Sequence, residues 1–278
     1  MKITSIVLLI FAVTTKTEPV QHLPSINIPN HRNENAGRIV GGSNATEGQF
    51  PYQVALLIDS LYFCGGALVT NTAVLTTAQC VQGFYSWEVH AGALIFSDYN
   101  EQGRLIVTST DGQVHEEYKV ESLHNDIALI HLQQAVTGKN IFPVRLPAWS
   151  MEFNHFEGKR SRVSGWGKIS DGSPSGSDIL QYVDVTVITN YECRQSYNLF
   201  YVRGTNICTD SNNGTAAACV GDSGGALVFY ELDDMPTAIG LFSFGSSAGC
   251  ESNSPTAYTR ITSYLAWLAT NAGVVIRP

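Results

Sequence analysis

The stretch Gly221-Asp222-Ser223-Gly224-Gly225 places a single hydroxyl between glycines in a chain of 278 residues. Glycines on both sides of Ser223 let the backbone turn sharply and present main-chain N–H groups around the hydroxyl. Alone, the pentapeptide carries little weight, because a tight glycine turn between two strands remains an alternative. Its interpretation therefore depends on the segments that accompany it elsewhere in the chain.

Short apolar runs follow one another after residue 39, separated by Gly, Asn, Asp and Ser at intervals of about ten residues. In one run, Val183, Val185 and Val187 alternate with polar residues, which is the period of a half-buried strand. This texture predicts an all-β barrel or sandwich. Two sets of six strands are predicted: 52–58, 64–70, 73–77, 87–91, 104–108 and 127–132, then 160–165, 180–188, 206–209, 226–230, 238–244 and 256–260.

Only the C-terminal segment shows apolar residues at helical spacing. The repeat consists of Ile261, Tyr264, Leu265 and Leu268. It predicts a helix that begins behind a cap at Thr262 or Ser263 and packs on the outside of the β-structure.

The charge distribution argues against several classes of partner. A formal net charge of −8 is spread over 14% charged residues, with no basic stripe and no Lys/Arg cluster. Nucleic acid and anionic membrane surfaces need such a cluster, so we expect neither as a partner.

The N-terminus resembles a secretory signal peptide, predicted at residues 1–15. Lys2 supplies the positive charge, and the apolar run 6–13 is too short to span a bilayer. Residues 16–38 are polar and broken by prolines, which predicts a pro-segment. We therefore expect a secreted, extracellular protein, and no later apolar stretch is long enough for a membrane span.

Three further segments accompany Gly221–Gly225 in a fixed order: Arg38-Ile39-Val40-Gly41-Gly42, Val74-Leu75-Thr76-Thr77-Ala78-Gln79-Cys80 and Asn125-Asp126-Ile127-Ala128-Leu129. Together they resemble the chymotrypsin-like serine protease family over residues 39–272. The resemblance implies an all-β fold of two six-stranded Greek-key β-barrels with a C-terminal α-helix. It places a protease domain at 39–278, with barrel 1 at about 39–145 and barrel 2 at about 146–278.

The resemblance also implies roles for the motif residues. Ser223 matches the nucleophile, and the N–H groups of Gly221 and Ser223 match the oxyanion hole. Asp126, next to an apolar strand, matches the carboxylate that orients the catalytic histidine. The bond Arg38–Ile39 matches the activation site, after which the new Ile39 ammonium would pair with Asp222.

Six cysteines allow many pairings by counting alone. The resemblance selects Cys64–Cys80, Cys193–Cys208 and Cys219–Cys250. No cysteine is then left for a metal site or a reactive thiol, and we expect neither a metal nor another cofactor.

Gln79 stands where the family carries the histidine that acts as general base. Its NH₂ group could donate to Asp126 and its carbonyl could accept from the Ser223 hydroxyl, so the buried polar groups would stay satisfied. An amide has no basic site near neutral pH, however, so it cannot take the proton of the serine. The sequence therefore predicts a folded site with almost no turnover.

Another histidine would have to replace this base. His124, two residues before Asp126, and His90, in a strand of the same barrel, are the candidates. A lone histidine is more often a surface or satisfied residue, and we do not expect either to reach Ser223. Four further histidines lie in the pro-segment or away from matched positions: His22, His31, His131 and His155.

The resemblance also predicts the substrate pocket. Ala217 would form its floor, Thr256 would narrow its wall, and Gly245 would keep its entrance open. Such an uncharged pocket suits a medium apolar side chain and cannot favour arginine. Cleavage after Arg38 would then require another, trypsin-like protease.

Two N-x-T sequons, at Asn44 and Asn213, predict surface glycosylation in an exported chain. Unglycosylated turns would carry the same residues almost as often.

Two functions remain open at this stage. The first is a secreted, non-catalytic serine protease homologue. After cleavage at Arg38–Ile39 it would bind a protein or peptide partner at the inter-barrel cleft, as a protease cofactor or decoy. The alternative is an active serine endopeptidase with chymotrypsin- or elastase-like apolar preference. Either is expected as a monomer.

Overall fold

The computed structural model describes residues 39–278. The predicted signal peptide (1–15) and pro-segment (16–38) lie outside the described residues. The strands are β1 (Ser43–Asn44), β2 (Gln53–Ile58), β3 (Tyr62–Thr70), β4 (Ala73–Thr76), β5 (Trp87–Ala91), β6 (Leu105–Ser109), β7 (Asp111–Val114), β8 (Ala128–His131), β9 (Arg160–Gly165), β10 (Gln181–Ile188), β11 (Asn206–Thr209), β12 (Ala226–Tyr230), β13 (Pro236–Phe244) and β14 (Thr256–Arg260), and the α-helices are α1 (Asn190–Tyr201) and α2 (Leu265–Asn271).

The first sheet is antiparallel in the order β6-β5-β2-β3-β4-β8-β7. Its two ends, β6 and β7, are separated in sequence only by Thr110. One bent strand thus pairs with β5 at one end and with β8 at the other, which closes the sheet into a barrel.

The second sheet has the order β1-β10-β11-β14-β13-β12-β9. It closes because β9 pairs with both β12 and β10. The short β1 adds to the outside of β10, so Ser43 and Asn44 pair with the second barrel although they precede the first. The predicted chymotrypsin-like fold of two β-barrels and a C-terminal helix is confirmed.

Burial follows the predicted strand pattern. Along β10 the side chains of Val183, Val185 and Val187 are buried, while the residues between them are partly exposed. A core cluster with members from both barrels, including Tyr52 and Trp166, packs the two together. Within this interface Ser164 donates a hydrogen bond of 2.9 Å to Gln53 Oε1, which satisfies two buried polar groups.

The prediction that only the C-terminal segment is helical is wrong, because the 12 residues of α1 are helical apart from a kink at Asn198, where φ is 58° and ψ is 176°. It buries only Cys193, so it lacks the apolar stripe by which a helix is recognised in sequence. A capping box stabilises its first turn instead: Thr189 accepts from the N–H of Glu192, and the Glu192 carboxylate accepts from the N–H of Thr189.

The C-terminal helix exists, but its predicted cap is wrong. Residues 261–264 form a 3-10 turn, and the cap of α2 is Tyr264, which makes no side-chain capping bond. Ile261, Tyr264, Leu265 and Leu268 are all buried, as their spacing predicts. Within residues 39–278, no helix is long and apolar enough to cross a membrane.

Candidate active site

The two barrels bring the predicted site residues together in one cleft. Gln79 lies in a 3-10 turn (Ala78–Cys80) directly after β4, and Asp126 comes shortly before β8. Ser223 precedes β12 in the second barrel. The N–H of Gly65 donates to the carbonyl of Ser223 at 2.8 Å, so the loop that carries Ser223 is tied to the first barrel.

The Gln79 side chain is fixed by two hydrogen bonds. Its Nε2 donates to Asp126 Oδ2 at 2.8 Å and to the Ser243 carbonyl at 2.7 Å, and its backbone N–H donates to Asp126 Oδ1 at 2.9 Å. The predicted bond to Asp126 is therefore present. The predicted bond between the Gln79 carbonyl and the Ser223 hydroxyl is absent from residues 39–278, because the amide faces Asp126 and Ser243 instead.

Asp126 is fully buried and surrounded by neutral donors. Ser243 Oγ donates to its Oδ2 at 2.6 Å, and Thr259 Oγ1 donates to its backbone carbonyl at 2.7 Å. Burial raises the pKa of Asp126 to about 6, against the hydrogen bonds from Ser243 and Gln79 that lower it. In the described part of the chain no cation pairs with this carboxylate, and Gln79 cannot supply one.

Ser243 is a site residue that the sequence analysis missed. It holds the carboxylate through its hydroxyl and the Gln79 amide through its carbonyl. Ser243 lies two residues before Gly245 in the segment Ser243-Phe244-Gly245, from which only Gly245 was predicted as a site residue.

The five histidines of residues 39–278 are all engaged away from Ser223. His90 is fully buried against Arg104, and burial with this neighbouring cation lowers its pKa to about 3. His124 Nε2 is 2.7 Å from the Phe200 carbonyl. The others contact different partners: His115 with Trp267, His131 with Gln113 and His155 with Arg260.

The Gly221–Gly225 turn, where the oxyanion hole is predicted, precedes β12 in the second barrel. Gly221 has a φ of 102°, which favours glycine. The N–H of Gly224 donates to Phe242 and that of Gly225 donates to Asp222. Within residues 39–278, the N–H groups of Gly221 and Ser223 donate to no acceptor.

We expect Gly224→Ala to destabilise the protein by about 2 to 5 kcal/mol. Gly224 has a φ of 82°, and a Cβ there would lie 2.1 Å from Thr76 Oγ1 and 2.5 Å from the Gly65 carbonyl. Gly83→Ala is a matched control, since its φ is 83° and a Cβ there meets nothing within 4 Å. Equal losses in urea unfolding of the two variants would contradict the steric explanation.

Asp222 is buried without a cation among the described residues. Its oxygens accept from the N–H of Gly167 at 2.8 Å and of Cys219 at 2.9 Å, and burial raises its pKa to about 7. A Cβ on Gly165 or Gly167 would lie 2.0 Å or 2.6 Å from the Asp222 carboxyl group. These two glycines make room for the carboxylate, a role that the sequence analysis did not assign.

The segment that begins at Ile39 is docked in the second barrel. The Ile39 side chain is fully buried in a core cluster that includes Val163 and Leu227. Next to it, Val40 forms a β-bridge with Ala217. The predicted new N-terminus therefore leads directly to the floor of the predicted pocket.

A pocket of about 230 Å³ opens beside Ser223 and is lined by Gln79 and by all three predicted pocket residues, Ala217, Gly245 and Thr256. Thr256 is buried at the start of β14. Since no charged residue of the described chain lines it, the pocket suits an uncharged side chain.

Three disulfides join the pairs that the resemblance implies, Cys64–Cys80, Cys193–Cys208 and Cys219–Cys250. A grouping of Asp171, Cys219 and Cys250 offers close ligand atoms. Its cysteines are disulfide-bonded and provide no thiolate, so it does not fit a metal. Both sequon asparagines, Asn44 and Asn213, are exposed.

Two closed antiparallel barrels, with a serine, a buried aspartate and a glycine turn at their junction, define the serine protease class of proteins. A family model described as trypsin matches residues 39–268. The chain belongs to the trypsin family.

Its similar proteins carry the names of proteases. Brachyurin of Leptuca pugilator is 39% identical over 237 residues, covering 85% of this chain and 99% of that protein. Collagenase of Hypoderma lineatum is 36% identical over 273 residues, covering 96% and 98%. A solved structure of HL collagenase has a TM-score of 0.76 at 35% identity and covers 86% of this chain and 100% of that one.

Proposed function

We propose that this protein is an exported serine protease homologue without useful catalytic turnover, which binds an extended peptide segment at the inter-barrel cleft. In this role it serves as a protease cofactor or a decoy after cleavage at Arg38–Ile39 by a trypsin-like protease. The observation that carries the proposal is Gln79, an amide in the position of the general base, held by Asp126 and Ser243.

The loss of the general base lowers kcat more than the retained site residues can compensate. Removing the catalytic histidine from a serine protease triad costs about 10⁶-fold in kcat, and the residual rate comes from the oxyanion hole and binding. His90 and His124 are bonded elsewhere and do not supply the base. Ser223, the free N–H groups and the pocket remain suited to binding.

The second candidate is an endopeptidase with an apolar preference at the pocket. The names of the similar proteins favour this candidate over the non-catalytic one, since brachyurin, collagenase and chymotrypsin are protease names. Ser223 and the uncharged pocket are also what this candidate requires. The overall sequence identity to these proteins does not show which residue they carry at the position of Gln79. An experiment is therefore needed to distinguish the two functions.

A serine-directed phosphonate provides that experiment. We expect the protein cut to begin at Ile39 to react at least about 10³-fold more slowly than its Gln79→His variant, because Ser223 is not deprotonated. Labelling is followed by intact mass, with Ser223→Ala as the negative control. Rapid stoichiometric labelling of the natural protein would establish the endopeptidase instead.

Export is supported by two features. The N-terminal 15 residues have the pattern of a signal peptide, although they lie outside the described residues. Three disulfides with no free cysteine in the described chain are typical of an oxidising compartment. Glycosylation at Asn44 and Asn213 and a monomeric state belong to the same proposal.

A further inference from the structure

Three hydrogen-bond donors lie unused at one rim of the pocket. Gly221 and Ser223 both line it. Among residues 39–278, no acceptor pairs with their N–H groups, and no partner pairs with the Ser223 hydroxyl. Buried polar groups normally find partners, so unpartnered donors in a cleft are sites for a ligand acceptor. Backbone N–H groups in a glycine turn favour an anionic acceptor in particular.

Gln79 also lines the pocket, and its amide cannot act as a base. Both hydrogens of the Gln79 amide are used, by Asp126 and by the Ser243 carbonyl. The amide therefore neither moves a proton nor turns over a bound peptide. A ligand is selected here by binding free energy alone, without a chemical step.

The two ways of presenting a peptide to these donors differ in charge. An uncut peptide offers a neutral carbonyl, whereas a peptide that ends at the pocket residue offers a carboxylate. Hydrogen bonds to a charged acceptor are roughly twice as strong as those between neutral groups. A carboxylate also has enough lone pairs for both N–H groups and for the Ser223 hydroxyl.

The pocket defines the last side chain of such a ligand. Its volume is about 230 Å³, its floor is Ala217, and Thr256 narrows its wall. With no charged residue among the described lining, a medium apolar side chain such as leucine, methionine or valine is favoured.

We infer that the cleft captures the free C-terminal end of a peptide or protein whose last residue is a medium apolar one. This is the end left by another protease with an apolar preference, so the natural ligand is a cleavage product and not an intact chain. The inference rests on the proposed non-catalytic function, since an active enzyme would release the same end as its own product.

Buried Asp126 opposes an anionic ligand while it is charged. Burial raises its pKa to about 6, and its titratable neighbours Tyr118 and Tyr264, whose pKa values burial raises above the ordinary range, stay neutral. Asp222 would be paired with the Ile39 ammonium in the cut protein. The preference for a carboxylate should therefore increase as the pH falls through about 6.

Three fluorescent peptides that differ only at their ends test the inference. One ends in leucine with a free carboxylate, one in leucine carboxamide, and one continues for two residues beyond the leucine. On the protein cut at Ile39, we expect the carboxylate to bind at least about 10-fold more tightly than the other two in fluorescence anisotropy. The ratio of the affinity for the carboxylate peptide to that for the carboxamide peptide should grow from about pH 7.5 to about pH 5.5. A pH effect on the cleft that alters the binding of both peptides equally does not change this ratio.

Variants assign the effect to the donors. Ser223→Ala should lower the affinity for the carboxylate by about 10-fold and leave the amide nearly unchanged, because it removes one charge-assisted bond. Ser247→Ala is the matched control, since Ser247 is an exposed serine of the neighbouring rim loop that does not line the pocket.

Different outcomes would contradict the inference and the proposed function. Equal binding of all three peptides without cleavage, or no binding of the carboxylate peptide, would overturn the inference and leave the non-catalytic site in place. Cleavage of the extended peptide, detected by mass spectrometry, would overturn the proposed function itself.

Discussion

Replacing Gln79 by histidine is expected to raise kcat/KM by at least about 10³-fold on an ester or peptide with a medium apolar residue before the scissile bond. The residues predicted for the other catalytic roles lie together in the cleft between the barrels. Asp126 is buried and has no cationic partner among the described residues. The N–H groups of Gly221 and Ser223 donate to no acceptor in residues 39–278. An imidazole at position 79 would meet the same carboxylate that now accepts from the Gln79 amide at 2.8 Å.

The new histidine should also change the electrostatics of the site. At present burial holds the pKa of Asp126 at about 6, because only neutral donors surround it. An imidazolium beside the carboxylate would stabilise its charged form and lower that pKa. The base and its orienting group thus support each other, which explains why one substitution can restore most of the lost rate.

The assay uses protein that begins at Ile39. Gln79→Asn is the matched control, since it changes the side chain but keeps an amide without a base, and Ser223→Ala in the histidine background removes the nucleophile. Natural protein that already turns over at an ordinary rate would end the non-catalytic interpretation. A folded and cut Gln79→His protein without activity would mean that the site has a further defect.

Local sequence patterns predicted most of the fold. The alternation of Val183, Val185 and Val187 reports burial on one face of β10. Apolar runs between turn residues located β2 to β6 and β8 of the first barrel and β9 to β14 of the second, but they missed β7, whose only apolar side chain is Val114. Helix α1 was missed because its stability comes from the Thr189 capping box and the Cys193–Cys208 disulfide, not from an apolar stripe. Strand β1 has only 2 residues, too few for any periodicity to appear.

The sequence predicted only those site residues that belong to a recognisable motif. Ser223 and Asp126 are marked by their own neighbours in sequence. Ser243, in contrast, reaches Asp126 from 117 residues away, and Gly165 is needed only because it lies against Asp222. Such roles arise from the packing of distant segments, which no single stretch of sequence records.

Cleavage at Arg38–Ile39 is expected to order the Gly221–Gly225 turn, and Asp222→Asn should abolish this effect. Asp222 is buried with two backbone N–H donors and, among residues 39–278, no cation, while Ile39 is already docked in the same barrel. An ammonium at Ile39 would supply the missing charge. Breaking a buried ion pair by removing one partner costs about 3 to 5 kcal/mol, so the variant should lose most of the gain in stability on cleavage.

The pH dependence has a definite sign. Before cleavage, burial raises the pKa of Asp222 from 3.8 to about 7, so its ionisation destabilises the fold as the pH rises through this range. After cleavage, the Ile39 ammonium would favour the ionised form and remove that loss. The increase in unfolding free energy on cleavage should therefore be small near pH 5 and larger at about pH 7 to 8.

Hydrogen exchange of residues 221–225 and urea unfolding, each before and after trypsin treatment, measure this switch. Asp234→Asn is the matched control, because it makes the same change at an exposed hairpin position. Acetylation of the new α-amine after cleavage should reproduce the Asp222→Asn result without any substitution, since it removes the same charge. If exchange in the turn is identical before and after cleavage, or if acetylation leaves the protection intact, the Ile39–Asp222 pair does not control the cleft.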